Sequence, residues 1–132
     1  MSIKVAPVGH SRILSVGSYR PKRLVPNSEI VERIDSTDEW IQQRTGIETR
    51  RFAGDDETVI SMAKAACEIA LKRAKLTIAD IDTVILSTIS YPFQAPSAAT
   101  ELINELGNPK AAAFDISAAC AGFCYGVGMA SD

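Results

Sequence analysis

The 132-residue sequence holds one histidine, His10, and one tryptophan, with aromatic residues at only 6%. A nucleophile in the body of the chain therefore has no nearby histidine in sequence to act as its base. Basic residues are not in excess, since 14 Lys and Arg stand against 16 Asp and Glu for a net charge of -2. That balance excludes the electropositive footprint of a nucleic-acid binder. Apolar runs fall short of the ~20 residues that span a bilayer, and MSIKVAPVGH has no secretion-signal core, so no membrane partner is expected. Three cysteines, an odd number, do not make a disulfide framework and fit a reducing, cytoplasmic setting. Internal repeats and low-complexity tracts are also absent. What remains is 46% hydrophobic and 23% charged, the composition of a folded domain with one real core.

SRILSVGSY, residues 11–19, is a short apolar run closed by Gly17 and Pro21, which predicts a buried strand and a loop. Asn27 or Ser28 is placed to cap a short helix reaching about Arg33. STDEWIQQRTG then offers Ser36 and Glu39 in capping-box spacing and Gly46 as a stop, predicting a helix over 37–45. IETRRF alternates as a strand does. After the GDDET turn, Val59, Met62, Ala63, Ala66, Cys67 and Ala70 recur at spacings of three and four, placing them on one helix face.

TVILSTIS, 83–90, reads as a strand covered on both faces. Ser97 opens a helix that ends at Gly107, and AAAFDIS, 111–117, is the next strand. The order strand, helix, strand, helix predicts α/β with a largely parallel sheet. AACAGFCYGVGMA follows, and its glycines predict a helix packed so closely that larger side chains would clash.

Cys120 falls at the last of these strand-to-helix junctions. There the helix start offers free N–H groups, and its partial positive charge favours the thiolate. Small neighbours Ala119, Ala121 and Gly122 leave room for a substrate, and the Cys120 N–H itself could meet a developing oxyanion. The competing reading is a small buried hydrophobe, the setting assigned to Cys67 and Cys124. Without further His or Cys ligands the pair Cys120 and Cys124 is a poor metal site, so no metal is expected. Trp40 and Arg44, one turn apart, could hold a flat heteroaromatic ring beside an anionic group, with Arg50 and Arg51 adding positive charge. Packing for Trp40, and a solvated face for the arginines, are the alternatives.

DSTDEWIQQRTGIETRRF, followed about seventy residues later by FDISAACAGFCYG, resembles the 3-oxoacyl-acyl-carrier-protein synthase III family. The resemblance runs from Ser11 to Asp132 and includes GDDET and PSAA. It implies a thiolase-like fold of two similar α/β halves, usually dimeric, of which residues 1–132 would be the N-terminal part. By resemblance, Cys120 is the nucleophile that accepts an acyl group from acyl-CoA and releases CoA. Malonyl-acyl-carrier protein then loses carbon dioxide, and its carbanion attacks the acyl-enzyme in a Claisen condensation. Trp40 matches the residue that stacks on the CoA adenine; Ser36, Arg44 and Thr45 match its neighbours on the nucleotide. Acyl-CoA enters as a substrate, and no cofactor is implied.

The sequence departs from that pattern where the family's catalytic His, Asn and second oxyanion glycine would stand, since those belong to the second half and His10 does not match. Ala95, in the loop YPFQAPS, replaces the bulky aromatic by which some relatives reach the partner subunit's acyl pocket. The small side chain implies room for a primer longer than acetyl. Two other readings accompany this one: a thiolase-fold starter synthase for a polyketide or a long-chain ketone, and an inactive truncated product lacking the His and Asn.

Overall fold

Residues 11–131 are described by a computed structural model, and His10 lies outside them. At their centre two parallel strands, β3 (Thr83–Ser87) and β4 (Ala112–Ile116), pair in the register Val84 to Ala113 and Leu86 to Asp115. The crossover between them is helix α4 (Ala98–Leu106), which starts because Ser97 accepts the Thr100 N–H and stops at Gly107, whose φ is 91°. That crossover is the one expected from Ser97 and Gly107.

Alternation along the strands sorts their side chains to two faces. Leu86, Val84 and Ala113 face α4 and the long helix α3 (Val59–Ala74), where Ile60, Ala98, Ala99 and Leu102 complete the core. Ile85, Ser87 and Ile116 face the last helix, α5 (Gly122–Ser131). The result is a sheet with helices on both faces, the α/β arrangement predicted from the order of elements.

A second, antiparallel pair joins β1 (Arg23–Pro26) to β2 (Thr49–Phe52) and buries Val25 completely. Between its strands run α1 (Asn27–Val31) and α2 (Asp38–Thr45). Asn27 was expected as a cap; it is instead the first residue of α1, after Pro26, and its side chain ties the region together. Its amide donates to Asp38 Oδ1 at 2.6 Å and to the Ile47 carbonyl at 2.7 Å, and its carbonyl oxygen accepts from Arg50.

Other expectations are corrected. Residues 11–19 form no strand: Ser15 Oγ donates to the Ala70 carbonyl at 2.7 Å and Arg73 donates to the Val16 carbonyl at 2.6 Å. The segment lies against α3, with Ile13, Leu14 and Val16 exposed, because apolar content does not make a strand without an edge to pair with. The cap of α2 is Thr37 rather than Ser36, its side chain accepting the Trp40 N–H at 3.2 Å. In α3 the stripe read from the sequence holds at Val59, Ala63 and Cys67, which pack against the core, and Ile60, on the same face one turn before Ala63, is the most buried. β3 closes at Ser87, and Ile89 is exposed.

Helix α5 is close-packed along only one line. A Cβ on Gly122 would sit 2.9 Å from Ser87 Cβ, and one on Gly126 would make ordinary contact with Ser87, Ile85 and Ile116. Around Gly128 there is open space, and Phe123, Tyr125, Val127 and Met129 are exposed. The glycines therefore reflect close approach at Gly122, not a helix enclosed on every side.

Candidate active site

Strand β4 ends at Ile116, and the chain bends through a 3-10 turn, Ala119–Ala121, before α5 begins. Ala119 takes φ 44°, a left-handed conformation that alanine rarely adopts and that costs on the order of 1 kcal/mol or more. Cys120 follows it, is exposed, and lines an open groove of about 1090 Å³ together with Ser87, Phe114, Phe123 and Val127. A buried core thiol it is not. Asp80 and Asp82 also line the groove, ahead of β3, but the lining is mostly apolar with one thiol, which suits an acyl chain that ends at an electrophilic carbonyl.

The N–H groups expected to be free at this bend are partly engaged. Ala121 N–H donates to the Ala118 carbonyl at 3.0 Å and Gly122 N–H to the Ala119 carbonyl. The oxyanion expectation therefore narrows to the N–H of Cys120 itself.

The other two cysteines differ from Cys120 and from each other. Cys67 packs half-buried against the core, and burial pushes its thiol pKa up, with the Glu68 carboxylate adding to the effect. Cys124 was expected to be a packing residue but is exposed, because α5 meets the sheet through Gly122 and Gly126 and position 124 falls on the opposite side of the helix.

A separate groove of about 410 Å³ is formed by Ile34, Asp35, Ser36, Thr37 and Trp40. Trp40 is 56% exposed, and the Arg44 guanidinium lies 5.7 Å from its ring centroid, so the indole is not a packing residue. Ser36 Oγ is buried there without a hydrogen-bond partner, an unusual state that a ligand donor or acceptor would relieve. The fourth expected residue, Thr45, is engaged elsewhere: its hydroxyl donates to the Ile41 carbonyl at 2.7 Å and accepts the Ile47 N–H at 3.1 Å. Arg50 and Arg51 add no charge to this groove. Arg50 bonds the Val25 carbonyl and Asn27, and Arg51 bonds the Pro21 and Lys22 carbonyls, so both hold backbone in place.

Ala95 lies exposed in the loop between β3 and α4, joined to Pro96 by a cis peptide bond, and does not line the Cys120 groove. The two grooves share no lining residue. Sequence reasoning missed Ser87 and Asp115, and read Asn27 only as a helix cap. Asp115 had a visible signal, a carboxylate inside the apolar strand AAFDI, because a charge in such a place needs partners.

A parallel strand pair between helical layers, with a cysteine at the bend from strand to close-packed helix, is part of the thiolase-like fold of condensing enzymes. No family model matches the chain. The priming beta-ketosynthase of the R1128 polyketide pathway superposes with a TM-score of 0.93 at 45% identity, covering 100% of this chain and 40% of that one. The 3-oxoacyl-[acyl-carrier-protein] synthase III of Aquifex aeolicus gives 0.85 at 40% identity, over 89% of this chain and 38% of that one. In sequence, beta-ketoacyl-[acyl-carrier-protein] synthase III 1 of Streptomyces avermitilis is 54% identical over 121 residues, 92% of this chain and 34% of its own length. The chain belongs to the beta-ketoacyl-[acyl-carrier-protein] synthase III family and spans about a third of the length of the curated relatives it matches.

Proposed function

We propose that this chain supplies the acyl-accepting part of a beta-ketoacyl-acyl-carrier-protein synthase III. The exposed thiol of Cys120 in an open apolar groove is the observation that carries the reading. The Cys120 thiolate attacks the carbonyl carbon of an acyl-CoA. The carbon–sulfur bond to CoA breaks, CoA leaves as its thiolate and takes a proton from solvent, and the acyl group stays on Cys120 as a thioester. In the full-length protein, malonyl-acyl-carrier protein loses carbon dioxide, and the carbanion left behind displaces Cys120 from the acyl carbon in a Claisen condensation. The enzyme works in the cytoplasm as a homodimer, and the acyl-CoA is its substrate rather than a cofactor.

Trp40 stacks on the adenine of CoA, with Arg44 beside the nucleotide phosphates and the unpartnered Ser36 hydroxyl accepting a ligand hydrogen bond. Thr45 closes the end of α2 beneath them. Ala95, through its small side chain, leaves the partner subunit's acyl pocket open to primers longer than acetyl. A starter synthase for polyketides is the second reading, favoured by the likeness to the R1128 priming ketosynthase.

The test is intact-mass spectrometry of the full-length protein after incubation with acyl-CoA. One acyl group should appear, map to Cys120 and vanish in Cys120→Ala. Acylation that persists in that variant overturns the reading. Comparing malonyl carriers from fatty-acid and polyketide systems then separates the two pathways.

A further inference from the structure

Ser87, the last residue of β3, meets the segment that carries Cys120 at both of its ends. Before the turn, Ser87 pairs with Ile116, the last residue of β4, and Thr88 donates its N–H to the Ile116 carbonyl at 3.1 Å. After the turn, Gly122 rests on Ser87: a Cβ there would lie 2.9 Å from Ser87 Cβ and 3.0 Å from Ser87 Oγ. Ser87 Cβ is fixed to the strand backbone and cannot swing aside, so a side chain at position 122 has to push α5 off the sheet. Between these two anchors the chain takes its strained step at Ala119, φ 44°, a conformation that persists only where the surroundings hold it. Gly122 N–H donates to the Ala119 carbonyl, so a shift of Gly122 acts directly on the strained residue and on Cys120 beside it.

We infer that Ser87 is a positioning residue for Cys120: it fixes both ends of residues 116–122 and, through its contact with Gly122, sets where the thiol stands in the groove that both residues line. The inference rests on the function proposed above. The contact is one of shape, and it is specific to one glycine of α5. A Cβ on Gly126 would meet Ser87 Oγ at an ordinary 3.7 Å, and Gly128 faces open space. A misplacement of about 1 Å between reacting groups can cost roughly a hundredfold in rate. CoA binding is assigned to the groove of Ser36 and Trp40, which shares no lining residue with that of Ser87, so a displaced thiol lowers kcat and leaves KM in place.

The experiment follows thioester formation from acetyl- and butyryl-CoA in the full-length protein, in Gly122→Ala, in the double variant Gly122→Ala with Ser87→Gly, and in Gly128→Ala, with a thermal melt of each. Gly122→Ala should lower kcat at least about tenfold while KM changes by less than about twofold. Ser87→Gly removes the Cβ that an alanine at 122 would strike. The double variant should therefore recover most of the lost kcat, a coupling that independent sites do not show. Gly128→Ala should leave kcat and KM unchanged.

A folded Gly122→Ala protein with wild-type kcat overturns the inference, as does a double variant no faster than Gly122→Ala. Recovery of the melting temperature without recovery of kcat also overturns it and leaves a packing role. If Gly122→Ala does not fold, Ser87→Val presses on the same backbone from the strand side; a fall in kcat at constant KM supports the inference there, and a wild-type kcat overturns it. A wild-type protein that takes up neither acyl group defeats the proposed function instead; a normally acylated wild type with unaltered variants defeats only this inference.

Discussion

Single residues fix how closely the elements approach. A Cβ on Gly17 would lie 1.9 Å from the Ala66 carbonyl oxygen and 2.7 Å from the Ala70 nitrogen, both backbone atoms that cannot swing aside. Gly17→Ala should therefore cost about 1–3 kcal/mol or more, read as a lower denaturant midpoint. A change within measurement error would mean that the 11–19 segment does not dock on α3. Trp40 is a residue whose role a binding measurement decides. Stacking of a base on an aromatic ring contributes about 1–3 kcal/mol, so Trp40→Ala should weaken CoA binding by roughly tenfold or more in titration calorimetry. Thr45→Val should leave that affinity unchanged, because its hydroxyl serves the backbone of Ile41 and Ile47. An affinity that falls with Thr45 and not with Trp40 would reverse these assignments.

Among the elements, α2 is tied to its surroundings through Asn27, and the segment entering α3 is tied to residues 19–22 through Glu57. Removing the Asn27 side chain takes one hydrogen-bond partner from each of Arg50, Asp38 and the Ile47 carbonyl, in a region where Asn27 is 1% exposed. Asn27→Ala should destabilise the protein by on the order of 3 kcal/mol in urea melts and loosen the helix that carries Trp40. Glu57, just before α3, accepts from the Tyr19 hydroxyl, from Lys22 N–H and, at 2.9 Å, from Gly54 N–H. These donors, Tyr19 foremost, hold its pKa below the ordinary glutamate value of 4.5. A depressed carboxylate stabilises the fold above its unfolded pKa, and that contribution is lost as pH falls through the depressed value. Melting temperature should therefore drop as acid is added below about pH 4.5, and Glu57→Gln should be less stable at neutral pH with a shallower acid decline. Parallel acid declines in the two proteins would remove Glu57 as the cause. At this scale the sequence was most legible where local rules decide: Ser97 and Gly107 bound α4, and Gly46, with φ 69°, ends α2. It was least legible where distant partners decide. Asn27 looks like a cap in sequence because its partners Ile47 and Arg50 are remote, and SRILSVG looks like a strand because periodicity reports apolar content and not the presence of an edge.

For the whole molecule, the β3–β4 pair with α3 and α4 holds one small core, the β1–β2 pair buries Val25 apart from it, and a large apolar surface stays uncovered among the described residues. Phe123 is 72% exposed, Tyr125 59% and Met129 53%, while Ile13, Ile89 and Phe93 are each more than 60% exposed. The motif around Cys120 was readable as chemistry, but the exposure of its helix was not, since Gly-rich composition signals close approach without saying on how many sides. Soluble monomers rarely show contiguous apolar patches beyond a few hundred Å². Residues 1–132 expressed alone should therefore bind an apolar-surface dye and self-associate as concentration rises in sedimentation experiments. Phe123→Glu should reduce both without unfolding α3 and α4, whose packing does not include it. Residues 1–132 hold a single histidine, His10, which does not match the family's catalytic histidine, so the same preparation should form no new carbon–carbon bond from acyl-CoA and malonyl-acyl-carrier protein. A monodisperse, dye-silent monomer would mean that α5 packs differently on the isolated chain, and measurable condensation would require proton handling by groups other than the family's catalytic histidine and asparagine.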